Sequence, residues 1–181
     1  MKLFVLIAVL IAIVLFIAQS FIRRAMTRAS VAGVRQEFDE IAQFEVGDVT
    51  GTIEGRRHGQ RAGMLFVKST TRGKPDAKSS IEFWCECRVR VPFRAQGRPG
   101  ALFNRDFEFT SSQPQQLEAL KSGAEFSSAM QDLAEAGAES VYAARDRLVV
   151  TFRPYQPRLM KGQEAQRIFD LLERAARDDE S

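Results

Sequence analysis

The chain has 181 residues, is 45% hydrophobic and 27% charged, carries a formal net charge of +3, and contains two cysteines and one histidine. That composition excludes a disordered or collagenous polymer, a disulfide-stapled mini-domain and a zinc module built from cysteine and histidine alone. Five of the 26 basic residues (Lys2, Arg23, Arg24, Arg28 and Arg35) stand in residues 1–36, where there is no acid, so beyond them the 23 acids outnumber the bases. A domain of that balance lacks the basic surface that nucleic-acid binding requires.

Leu3 to Ala18 is an unbroken apolar run, resumed by Phe21 and Ile22 after Gln19 and Ser20. Twenty helical residues span about 30 Å, the thickness of a bilayer's hydrocarbon core, so residues 1–22 are expected to form a single transmembrane anchor. The competing reading is a cleaved secretory signal, with Lys2 as its basic start and Ala18-Gln19-Ser20 as the cleavage site. Phe21, Ile22, Arg23 and Arg24 follow like the end of a retained anchor. Arg23, Arg24 and Arg28 outnumber Lys2 and the terminal amine, which points to a cytoplasmic domain on the inner membrane rather than a periplasmic one.

Residues 23–44 continue as an amphipathic helix or linker, because Val31, Val34, Phe38 and Ile41 fall at spacings of three and four. A soluble domain then occupies residues 45–177. Val49–Glu54, Arg61–Ser69 and Ile81–Phe93 read as strands, with turns around Gly55–Gly59 and Arg72–Asp76. In the third, Ile81, Phe83, Cys85, Cys87, Val89, Val91 and Phe93 share one face. The other face carries Glu82, Trp84, Glu86, Arg88, Arg90 and Arg94, with ion pairing between the acidic and basic members. A fourth strand is expected from Ala101 to Phe109, where Asp106 and Glu108, flanking Phe107, read as the carboxylates of an ordinary strand surface.

Two helices follow, Gln113–Lys121 and Glu125–Ala136, the second striped by Phe126, Met130 and Leu133. The first is opened by Ser112 with Gln115 at capping-box spacing and closed by Gly123. A hairpin, Ser140–Ala143 with Arg147–Arg153, leads to a terminal helix, Lys161–Arg177, striped by Ala165, Ile168, Leu172 and Ala175. Residues 178–181 are an acidic tail. The order, roughly ββββααββα, predicts an α+β domain whose antiparallel sheet is covered by helices on one face.

The residues that could carry chemistry are few. His58 stands in the turn Gly55-Arg56-Arg57-His58-Gly59 without a recognisable partner motif, and reads as an exposed turn residue. Arg56, Arg57 and Arg61 beside it could hold an anion or lipid phosphate if the turn faces the membrane. Cys85 and Cys87 are expected to be reduced core thiols, since zinc would need two more ligands. Trp84 could be a partner contact, or be shielded by the terminal helix or a loop. Glycine-rich phosphate loops, nucleophile elbows and HExxH are absent, so no cofactor, metal or enzymatic activity is implied.

The sequence therefore predicts a non-enzymatic, single-pass accessory or scaffold subunit of a bacterial membrane. It would contact the bilayer and other membrane-protein subunits of a larger assembly, such as a respiratory or photosynthetic one. Arg23, Arg24, Arg28, Arg56, Arg57, Arg61 and Trp84 are its candidate contact residues. The alternative is a membrane-tethered domain that grips an apolar ligand or lipid between the sheet and the terminal helix, a use to which fourteen phenylalanines lend themselves.

Overall fold

A computed structural model describes residues 2–47, 49–68, 78–97, 106–144 and 146–180. Helix α1 (Lys2–Arg35) is followed by β1 (Glu40–Val46), β2 (Thr50–Arg57), β3 (Gln60–Val67), β4 (Ser80–Glu86), β5 (Phe93–Gly97) and β6 (Phe107–Ser111). Then come α2 (Pro114–Ser122), α3 (Ala124–Glu135), β7 (Ser140–Ala144), β8 (Arg147–Phe152), a 3-10 turn (Pro157–Met160) and α4 (Gly162–Glu180). The strands form one eight-stranded sheet in the order β1-β2-β3-β4-β8-β7-β5-β6, every pairing antiparallel. The α+β class and the antiparallel sheet agree with the sequence pattern.

The inward alternates of the central strands make the core. Ile53, Met64, Phe66, Ile81, Phe83, Cys85, Val150 and Phe152 are fully buried, and the stripe of α4 expected from sequence, Ala165, Ile168, Leu172 and Ala175, packs on them with Phe169. Phe169 meets Phe38 and Phe83 edge to face, at 5.4 and 5.2 Å between centroids, the arrangement that aromatic quadrupoles favour. The space between sheet and α4 is filled by these rings, so an apolar ligand is not held there.

Three expectations are corrected. The helical run ends at Arg35, and residues 40–46 are an edge strand, although Val31, Val34 and Phe38 are all buried as the helical spacing required. Phe38 reaches the core from the turn after the helix, which is why the spacing continued past the helix end. The long third strand is two: β4 ends at Glu86, and β5 begins at Phe93 after Pro92, which has no N–H to give a ladder. Because β8 and β7 lie between β4 and β5, Arg94 does not face Glu82 and Glu86 but bonds Gln96 Oε1 at 3.4 Å. At the head of α2 the cap position is Gln113, with no side-chain cap bond, in place of the Ser112–Gln115 box.

The terminal helix also runs further than expected, through the acidic residues to Glu180. Of the fourth strand, Phe107–Phe109 is seen, while residues 101–105 lie outside the described residues, as do residues 72–76 of the expected turn. Helix α1 includes a segment, Val9–Arg35, long and apolar enough to cross a membrane, with a mean hydropathy of 1.9 over its most apolar 18 residues.

Candidate functional site

Among the described residues the sheet ends at β6, and there the core is left open. Phe107 and Phe109 project inward from this last strand but are only half-buried, because no further strand continues the sheet beyond them among the described residues. Opposite them α3 presents Phe126, Met130 and Ala134, spaced by four so that they lie on one helical face, each nearly fully buried. Phe126 stands edge-on to Phe93, 5.5 Å between centroids, and tilted against Phe109 at 6.2 Å. Between strand and helix is a groove of about 520 Å³, within the range of small-molecule pockets.

The groove's floor is aromatic and its rim polar: Asp106, Glu108, Lys121 and Gln131 stand around it. The Lys121 ammonium bonds Glu118 at 2.8 Å and lies 5.6 Å from the Phe109 centroid, so its charge is met by a carboxylate and a ring face. Such a site can shelter a hydrocarbon chain and orient a polar end at the rim. Sequence reasoning identified Phe126 and Met130, with Leu133, as a helical stripe but read Asp106 and Glu108, the carboxylates on either side of Phe107, as ordinary surface. The signal it passed over was the alternation Asp106-Phe107-Glu108-Phe109.

A second cluster lies at the hairpin between β2 and β3. Arg57, 2% exposed, turns inward under α4 and is ion-paired with Glu173 and Asp170. Burial works against its charge, but hydrogen bonds and the fields of the two carboxylates outweigh it and hold the guanidinium above its ordinary value. His58 Nδ1 sits 3.0 Å from Glu173 Oε2, a carboxylate partner that no local motif announced, since the two are 115 residues apart. The ring itself is exposed, on a turn whose His58 and Gly59 both have positive φ, +50° and +80°, as a two-residue type I′ hairpin requires.

Cys85 and Cys87 are buried free thiols. The hydrogen bond with Cys87 and then burial push the Cys85 thiol well above its usual range, so it is protonated at neutral pH and inaccessible, the reverse of a reactive cysteine. Among the described residues no group of three or more His, Cys, Asp or Glu could hold a metal ion.

The remaining sequence candidates are dispersed. Arg57 does not join Arg56 and Arg61 on a surface; those two pair across the hairpin, with Arg56 4.0 Å from Glu40. Arg28 is exposed on α1, on the same helix as Arg23 and Arg24, whose side chains lie outside the described residues. Trp84 is 7% exposed. It is shielded on the outer face of the sheet by Arg147, whose Cζ is 4.5 Å from the ring centroid, rather than by the terminal helix.

No protein-family profile matches the chain, and comparison with curated proteins finds no match. Among solved structures it is similar to the mycobacterial trehalose monomycolate transport factor A, TtfA. The identity is 13% and the TM-score 0.48, over 86% of this chain and 92% of that one. At that level the likeness assigns no function to this chain.

Proposed function

We propose that this chain is a membrane-tethered, non-enzymatic domain that holds an apolar ligand, such as a lipid acyl chain, in the groove between β6 and α3. The observation that carries this reading is the pair Phe107 and Phe109, left half-exposed at the sheet's last strand against the buried Phe126 and Met130. Hydrocarbon laid there would remove aromatic surface from water at roughly 25 cal/mol per Å². A tether formed by α1 would keep the groove close to a source of such chains, and Arg23, Arg24 and Arg28 favour a domain on the cytoplasmic side.

The test is extraction of the full chain in mild detergent, followed by mass spectrometry of bound lipid. Wild-type protein should carry a stoichiometric lipid, and Ser127→Trp, which fills the groove from an exposed wall position, should lose it. Delipidated wild type that takes up no fatty acid or phospholipid would remove the reading.

An accessory role in a larger assembly is favoured by a different observation. On the outer face of the sheet Trp84, Val149 and Tyr142 are direct cross-strand neighbours, and Tyr142 is half-exposed. A partner subunit laid on this apolar row would co-migrate with the chain in native electrophoresis; migration at monomer size would dispose of it.

A further inference from the structure

The first helix is not a tether on a loose string, and how it is attached fixes which end of the domain meets the bilayer. Thr27, Val31 and Val34 of α1 are buried in the domain, and two contacts pin α1 alongside the β1–β2–β3 meander. At one end Lys68 Nζ donates to Thr27 Oγ1 at 2.6 Å, while the Lys68 amide donates to the Val49 carbonyl. At the other, just past the helix, the Asp39 amide donates to the Arg56 carbonyl at 2.8 Å. Helix and hairpin therefore run side by side. The turn between β1 and β2, at Gly47, lies toward Thr27, and the turn at His58 and Gly59 lies toward the helix's end.

The apolar run stops at Ile22. Thr27 is five residues further on, or roughly 7 Å along a helix axis, a depth that belongs to the headgroup layer if residues 3–22 fill the hydrocarbon. The His58 turn is then a whole strand away, roughly 25 Å for the eight residues of β2. Arg56 and Arg61 at that turn are then far from the headgroups, and Arg57 is buried under α4. The cations near the headgroups are others: Arg28, exposed on α1; Lys68 at Thr27; and Lys78, exposed two residues before Ser80, which pairs with Val67. Glu45 and Glu82 share a cross-strand row two residues in from Gly47 and Ser80.

We infer that the Gly47 end of the sheet, with Arg28, Lys68 and Lys78, rests on the headgroup layer of the bilayer that α1 crosses and binds anionic lipid there. The inference rests on the membrane-crossing reading of α1. Lipid anions would be drawn to this end by charge, within a Debye length of the surface.

The test places single fluorescent labels on the full chain in vesicles of phosphatidylcholine and phosphatidylglycerol; Cys85 and Cys87 are buried and leave the new cysteine as the reactive one. Headgroup-nitroxide lipid should quench a label at Gly47→Cys severalfold more than one at His58→Cys. Adding Arg28→Glu and Lys78→Glu, or omitting phosphatidylglycerol, should reduce the quenching at position 47. Equal quenching at 47 and 58 would overturn the orientation, and quenching at 47 indifferent to lipid charge and to both substitutions would overturn the anionic contact. A label at Leu15→Cys separates these from failure of the underlying reading: if acyl-chain nitroxide does not quench it, α1 does not cross the bilayer.

Discussion

Gly33 of α1 and Gly162 at the start of α4 meet backbone to backbone. A Cβ on Gly33 would stand 3.2 Å from the Gly162 nitrogen, and one on Gly162 would stand 3.1 Å from the Gly33 carbonyl oxygen. Neither neighbour is a flexible side-chain tip, so the two segments would have to separate to admit anything larger. Gly33→Val is expected to cost about 1–3 kcal/mol of domain stability, the usual range for overpacking. Gly162→Val should cost a similar amount, and the double variant less than the sum of the two, because one separation serves both. Thermal unfolding of the full chain in detergent measures all three.

Arg57 and Glu173 are a buried pair whose worth lies in the partner each would leave behind. Arg57→Met strands the 5%-exposed Glu173 carboxylate with His58 beside it, and should destabilise by about 3 kcal/mol or more. Arg57→Met with Glu173→Met removes both charges and leaves apolar volume, and should recover most of that loss. Asp170 is half-exposed and can return to water. Chemical denaturation of the two variants decides it: a double variant no more stable than Arg57→Met would mean that the loss comes from packing and not from a stranded charge.

What the sequence made legible was local. The stripe of α4, the β7–β8 hairpin and the stripe of α3 each follow one period over one element, and the structure places them accordingly. What it concealed depends on contacts between distant segments. Phe38 is buried by Phe169, which let an extended turn pass for a helix. The first strand stops at Glu86 and the chain resumes after Pro92 as a new strand on the far side of the β7–β8 hairpin, a choice made by pairing partners and not by alternation. The groove was hidden for the same reason: Phe107 and Phe109 acquire meaning only when α3 is known to lie over them.

Tyr155 should mark the alkaline limit of the fold. Burial pushes its phenol up to about 12, against about 10 in the unfolded chain. Between those values the folded state holds a proton that the unfolded state has lost, so its contribution is fully present below pH 10 and disappears as pH rises toward 12. Tyr155→Phe should flatten the fall in stability across that window. The Cys85 thiol, raised by its hydrogen bond with Cys87 and by burial, adds a loss of the same sign in both proteins, so the difference between them isolates Tyr155. Identical alkaline limbs in wild type and variant would refute it.

Gly63 is where the outer face of the sheet admits its tryptophan. It pairs with Trp84 across β3 and β4, and a Cβ at 63 would lie 2.5 Å from the indole ring, closer than any side chain tolerates. The absence of a side chain there lets the ring lie flat on the backbone while Arg147 covers its other face at 4.5 Å, a cation–π contact of about 0.5–1 kcal/mol at a site of this kind. Gly63→Ala should therefore lift the ring into water, shift its emission to the red and cost about 1–3 kcal/mol. Arg147→Ala should uncover one face only, giving a smaller red shift and a cost of about 1 kcal/mol or less. Because Trp84 is the chain's one tryptophan, its emission reports this site directly. If a partner covers the row Trp84, Val149 and Tyr142 in the native membrane, binding should quench or blue-shift wild-type emission and do so far less in Gly63→Ala, where the ring no longer lies in the plane the partner would meet.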